Sequence, residues 1–196
     1  MKKISTLFKK DPNDLSRVIN ELDPQNQWVL DGDGVATWKF DGTACMILNG
    51  GLYKRYDLKR NKKTGEFPVV PGGAIACQDP DPVTGHWPHW IKCDRNDPSN
   101  KYHFEGYDTL VNDGLLNDGT YELCGPKVQG NPEKSPIHKL LKHGSVQLDV
   151  NVTGFDPFED LRDYLLSTNI EGIVWHHPDG RMCKLRKSDF GIKRNG

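Results

Sequence analysis

The 196-residue chain has no apolar run near the roughly 20 residues that a membrane-spanning helix needs. Nor does it carry an excess of either charge. Its 26 Lys and Arg against 27 Asp and Glu leave a net charge of −1, which excludes a wholly basic nucleic-acid coat and an acidic tail. Cysteine is sparse. Cys45, Cys77, Cys93, Cys124 and Cys183 are odd in number and scattered, with no C-x-x-C pair, which argues against a secreted disulfide scaffold and for reduced thiols. Met1-Lys2-Lys3-Ile4-Ser5 lacks the apolar stretch and small-residue cleavage site of a signal peptide, so the expected setting is cytoplasmic. A glycine-rich phosphate loop of the Walker or Rossmann kind is also missing. A nucleotide bound here would have to be held another way.

What the chain does contain is enough for a core: a domain of this length buries roughly 70% of its unfolded surface. No repeat or linker divides residues 1–196, and a single domain is expected. Leu15, Val18, Ile19 and Leu22 follow Pro12-Asn13-Asp14 at helical spacing, predicting a helix that ends before Pro24. Val35 to Phe40, Thr43 to Leu48 and Leu52 to Tyr56 are β-rich runs, the last two joined by the hairpin signal Asn49-Gly50. Residues 57–97, rich in Pro, Gly and charge, read as long loops with short strands. Further helices are expected at Tyr102 to Val111, with Phe104, Tyr107 and Val111 inward, and from Asp156-Pro157, with Phe158, Leu161, Tyr164 and Leu165 inward. Thr120 to Cys124 reads as a strand. Gly172 to His176 and Arg181 to Arg186 form a closing hairpin around Pro178-Asp179-Gly180. Helices scattered among antiparallel strands give an α+β class.

Chemistry concentrates in Trp38-Lys39-Phe40-Asp41-Gly42-Thr43. On a strand, Thr37, Lys39 and Asp41 share one face while Trp38 and Phe40 share the other, so the bulky pair suits a core and Lys39 and Asp41 a cleft. Gly42 lets backbone approach a bound group closely. A lysine on a rigid strand between aromatics is a candidate nucleophile, since desolvation and neighbouring cations help an amine shed its proton. Taken alone, K-x-D-G is better read as a surface lysine before a turn. It is accompanied by Glu122 in Gly-Thr-Tyr-Glu-Leu, Glu171 in Glu-Gly-Ile-Val-Trp, and Lys184 in Cys-Lys-Leu-Arg-Lys, where strand alternation puts Lys184 and Arg186 on one face.

That ordered set resembles the covalent nucleotidyltransferase superfamily of polynucleotide ligases and capping enzymes. Within it the chain looks most like the ATP-dependent 5′–3′ RNA ligases, including the small vertebrate-type RNA ligase family and related viral and bacterial ligases. The likeness runs from about Lys39 to Gly191 and includes Gly85-His86-Trp87-Pro88-His89-Trp90, Gly130-Asn131-Pro132, Pro136-Ile137-His138-Lys139-Leu140-Leu141 and His143-Gly144. The resemblance implies a nucleotidyltransferase (ATP-grasp-like) domain in which antiparallel sheets flank a nucleotide cleft; with only about ten residues after Lys187, no OB-fold is expected. It implies that Lys39 attacks the α-phosphate of ATP to form lysyl-AMP. Asp41 and Gly42 complete the motif, and Arg55 holds phosphate or ribose. Glu122 accepts from the ribose, and Glu171 helps hold Mg²⁺ or Mn²⁺. Lys184, with Arg186 (or Lys187 by residue type), contacts phosphate. AMP then caps a 5′-phosphate RNA end, which a 3′-hydroxyl seals. The chain departs from many ligases after K-x-D-G, where Thr43-Ala44-Cys45 stands in place of an arginine.

Alternatives remain within this reading. A DNA ligase or a GTP-using capping enzyme would share the lysine chemistry, and an inactive nucleotide- or RNA-binding module would share the fold. Lys54 to Lys63 holds six basic residues and one acidic one beside Tyr53 and Tyr56, a pattern that suits either RNA or a solvated face, and Arg181 to Gly196 has the same balance. Cys77, His86, His89 and Cys93 offer zinc-type ligands at a spacing irregular for a finger, with buried thiols as the default. Asp31-Gly32-Asp33-Gly34 lacks the later ligands of a calcium loop and reads as a turn.

Overall fold

A computed structural model describes residues 2–82 and 84–194. In chain order the elements are β1 (Ser5–Thr6), β2 (Phe8–Lys10), β3 (Val18–Leu22), α1 (Gln27–Leu30) and β4 (Val35–Lys39). Next come β5 (Thr43–Leu48), β6 (Gly51–Lys59), β7 (Ile75–Ala76), β8 (His86–Lys92), α2 (Lys101–Asn112), β9 (Gly119–Cys124) and β10 (Lys139–Lys142). The last are α3 (Pro157–Ser167), β11 (Gly172–His176) and β12 (Met182–Arg186). Largely antiparallel sheets with separate helices make this an α+β architecture. None of the described helices is long and apolar enough to cross a membrane. The residues fall into two compact units, a mid-chain unit (Met1–Lys3 and Asp41–Lys142) and a terminal unit (Ile4–Phe40 and His143–Gly196).

The mid-chain unit is built on a six-stranded sheet ordered β10-β9-β5-β6-β8-β7. Asn49 and Gly50 both adopt positive φ, 50° and 70°, the backbone that a two-residue hairpin turn requires and that Asn-Gly tolerates. One face of the sheet is closed by α2. Cys45, Ile47, Leu52, Tyr121, Leu123 and Leu140 are buried there beneath Tyr102, Phe104, Tyr107 and Leu110. Leu110, three residues after Tyr107, takes the inward place expected of Val111, four residues after it, which is exposed. Register puts Glu122 opposite Ala44, Tyr53 opposite Met46 and Arg55 opposite Trp90, so these side chains stand on the other face. Residues 57–97 are less loop-like than their composition suggests. β6 runs to Lys59 and pairs over seven positions with β8, where Trp87, His89, Trp90 and Ile91 outweigh Pro88.

In the terminal unit a four-stranded sheet is ordered β1-β12-β11-β4, with β1 joining parallel to β12. Leu7, Val29, Leu161, Leu165, Ile173, Trp175, Cys183 and Leu185 form its core. α3 begins where Asp156 Oδ1 accepts the Glu159 N–H at 3.3 Å with Pro157 at the first helical position, and the acidic Glu159 and Asp160 suit the positive end of the helix. The helix expected near residues 12–22 is corrected by the structure. Asp11 and Asp14 bond the N–H groups of Asn13 and Ser16, holding local turns, and Val18–Leu22 forms a strand against β2. Short Asp and Ser side chains compete for helix backbone groups, and Val18-Ile19 favours a strand. Leu15 then lies in solvent.

Candidate functional site

Two parallel rows of side chains cross the terminal unit's sheet. Lys39 on β4 lies opposite Gly172 on β11, which lies opposite Arg186 on β12; Thr37, Val174 and Lys184 make the next row. All stand on one face, since alternate residues of a strand point the same way. Cys183 and Leu185 point oppositely, into the core. Gly172 is decisive by what it omits. A Cβ there would press against the Leu185 carbonyl and the Arg186 backbone, so the residue must be glycine. With strands about 4.8 Å apart, Lys39 and Arg186 stand roughly 10 Å from each other with no side chain between them. This slot is wide enough for an anionic group.

The charges around the slot are specific. Lys39 Nζ forms an ion pair with Glu171, both side chains being about three-quarters buried. Lys184 is half-buried, and its ammonium is pulled down to about 8, first by burial and then by the positive charges of Arg186 and Lys39, against the pull of Asp189 and Glu171. Arg186 is fixed by Asp189, a fully buried carboxylate. Asp189 accepts from the Arg186 backbone N–H at 2.8 Å and from its guanidinium at 2.8 and 3.3 Å, and Lys10 Nζ reaches it at 2.6 Å. Burial pushes the Asp189 carboxyl up, yet hydrogen bonds from Arg186 and Lys10 outweigh it and hold the carboxyl below the ordinary range. Lys187, the other late cation, is buried and donates to the Thr168 carbonyl, a structural engagement. Thr37 Oγ1 donates to the Val174 carbonyl at 2.9 Å, so the 3.1 Å contact from His176 Nε2 makes that nitrogen the donor. Burial, then His143, lowers the His176 pKa.

In the mid-chain unit, carboxylates hold the backbone of the K-x-D-G motif. Glu122 Oε1 accepts the Gly42 N–H at 3.1 Å, and Glu133 Oε1 accepts the Asp41 N–H at 2.8 Å. Arg55 Nε donates to Asp57 at 2.9 Å, and its guanidinium lies 5.8 Å from the Trp90 ring centroid. The basic segment expected at Lys54 to Lys63 divides. Lys54 points to the helix side, where its ammonium meets Asn100 Oδ1 at 2.6 Å and Ser99 Oγ at 3.3 Å. Among the described residues no three His, Cys, Asp or Glu side chains gather to hold a metal ion, and Cys77, His86, His89 and Cys93 are no exception.

Sequence reasoning overlooked Glu133, Asp189 and Lys10. Glu133 and Lys10 left no signal in sequence, being 92 and 179 residues from their partners Asp41 and Asp189 respectively. Asp189 left one: an acidic residue three places after Arg186 fits a capping turn.

A family model described as RNA ligase 1 matches residues 108–195, a stretch that holds Glu122, Glu171, Lys184 and Arg186. RNA ligase 1 of Mus musculus is 29% identical over 231 aligned residues, covering 83% of this chain and 69% of its own length. Over most of its length the chain is thus similar to RNA ligase 1 proteins. RNA ligase 1 of Rattus norvegicus is likewise 29% identical, over 83% of this chain and 70% of the relative. RNA ligase 1 of Danio rerio is 27% identical over 136 residues, 56% of this chain and 42% of the fish protein.

Proposed function

We propose that this chain is an ATP-dependent RNA ligase that works through a lysyl-AMP intermediate. The observation that carries the reading is the ion pair of Lys39 and Glu171 beside a glycine-floored slot rimmed by Lys184 and Arg186. In step one Lys39 gives its ammonium proton to water, and the neutral amine attacks the α-phosphorus of ATP. A P–N bond forms, the P–O bond to pyrophosphate breaks, and pyrophosphate departs. Lys184 and Arg186 stabilise charge on the phosphate oxygens as the leaving group separates. In step two an oxygen of an RNA 5′-phosphate displaces the lysine, forming AMP-capped RNA and freeing the amine. In step three a 3′-hydroxyl attacks the capped phosphate, forming the phosphodiester and releasing AMP.

Asp189 keeps the Arg186 guanidinium in place for this work. For Arg55 we propose a phosphate or ribose contact, and for Glu122 the ribose, with Asp41 and Gly42 completing the nucleotide-binding set. Glu171 fits a Mg²⁺ or Mn²⁺ ion, because such ions keep most of their waters and need only one or two protein carboxylates. When bound, that ion supplies charge neutralisation on the phosphates.

The test is incubation with α-labelled ATP or GTP and Mg²⁺. Labelling by ATP alone, as an SDS-stable and acid-labile adduct, is the expected result, and Lys39→Ala abolishes it. Labelling by GTP alone would make the protein a capping enzyme, and none by either nucleotide would make it a binding module. Nicked and single-stranded RNA and DNA with 5′-phosphates then distinguish an RNA ligase from a DNA ligase.

A further inference from the structure

At the far end of the β6–β8 ribbon, in the mid-chain unit, lies a cavity of about 330 Å³ lined by Lys59, Arg60, Lys62, Gly65, Gly85 and His86 among others. Three cations line it and no carboxylate does. Neither the Lys59 nor the Lys62 ammonium has an ion pair or hydrogen bond among the described residues. The nearby Asp81 is engaged by Lys3 at 2.7 Å. Like charges gathered on an exposed tip make a local positive potential that would attract an anion from outside.

The cavity is built rather than incidental to a loose tip. Arg60 N–H donates to the Gly85 carbonyl at 3.1 Å, Asn61 N–H to the Glu66 carbonyl at 2.8 Å, and Gly65 N–H returns to the Asn61 carbonyl at 2.8 Å. Asn61 Oδ1 accepts the Lys63 N–H at 2.9 Å, closing the turn. The Arg60 guanidinium lies 5.0 Å from the Phe67 ring centroid, and Phe67 meets Trp87 edge-on at 5.4 Å, so one cation is held over an aromatic ladder. Lys59 pairs with His86 in register and shares its sheet face with Arg55, four residues back along β6. That separation is roughly 13 Å along the strand.

We propose that this cavity is a subsite for the phosphodiester backbone of the RNA strand, placed along the same sheet face as Arg55. The inference rests on the RNA ligase reading and adds to it a location for substrate outside the nucleotide contacts. Recognition there is by phosphate charge, so it is independent of base sequence and weakens with salt.

Anisotropy of a fluorescent, 5′-phosphorylated uridine oligonucleotide, titrated with the full chain at several salt concentrations, tests it. Each lost phosphate contact on a single strand lowers the salt slope by about 0.7. The double variant Lys59→Ala/Lys62→Ala is therefore expected to lose about 1.4 from the slope and roughly tenfold or more in affinity near 50 mM salt. Lys62→Glu alone should weaken binding more than Lys62→Ala, whereas Lys101→Ala, on α2, should keep the parent slope. A double variant with the parent slope, an equal loss in Lys101→Ala, or no RNA binding by the parent would each overturn the subsite. Self-labelling of the parent by α-labelled ATP needs no RNA and separates the two claims. Labelling with unchanged slopes removes the subsite alone, whereas lost slope without labelling keeps the subsite and removes the ligase.

Discussion

Replacing Asp189 by Asn removes one charge and almost no volume, which isolates the electrostatics that orient Arg186. All four contacts to the carboxylate come from donors, three on Arg186 and one on Lys10, so an amide NH₂ in its place meets another donor. Removing one partner of a fully buried ion pair costs about 3–5 kcal/mol. Here the Arg186 and Lys10 side chains keep 31% and 28% of their exposure, and water recovers part of the loss. The expected destabilisation at neutral pH is therefore about 2 kcal/mol. Urea unfolding measures it: with a slope of about 1–3 kcal/mol/M, the midpoint should fall by roughly 1 M. The pH dependence carries a sign. The Asp189 pKa is lower folded than the ordinary 3.8, so its stabilisation is full above that value and is lost as pH falls through the depressed folded pKa. The gap between parent and variant should thus close in acid. A midpoint shift below about 0.2 M at neutral pH, or a gap that persists undiminished in acid, would refute the assignment.

Two further expectations concern the same sheet. Lys184→Met removes an ammonium whose pKa falls from 10.5 unfolded to about 8 folded, a penalty of roughly 3 kcal/mol borne by the parent below pH 8. Parent stability should gain on the variant as pH rises from 8 to 10.5, because the unfolded lysine then binds more protons than the folded one; a difference between the two proteins that stays flat over that range would contradict it. Gly172→Ala should destabilise by roughly 1–3 kcal/mol by driving a methyl into the β12 backbone, read as a lower thermal midpoint. Unchanged stability would mean that the slot between Lys39 and Arg186 does not depend on the missing side chain.

Strands with clean alternation or a strong turn were legible in sequence. Asn49-Gly50 marked its hairpin, and Asp156-Pro157 marked the start of α3. The misreadings share a cause, which is local pattern overruled by pairing. Val18 to Leu22 has helical spacing but finds a strand partner in Phe8–Lys10, and β8 keeps a proline because two neighbouring strands hold the aromatics around it.

The sequence by itself determined which residue types could carry the chemistry, and in what order, because strand alternation is a local property of the backbone. Lys39 had to part from Trp38, and Lys184 and Arg186 from Cys183 and Leu185, whereas Asp41 lies beyond the end of β4, where alternation no longer places it. Only the tertiary structure decided what each charge faces. The pairing of Lys39 with Glu171 spans 132 residues and that of Lys10 with Asp189 spans 179. Strand register and burial set such contacts, and with them the strength of every charge involved, since an ion pair is worth little until packing removes the water around it.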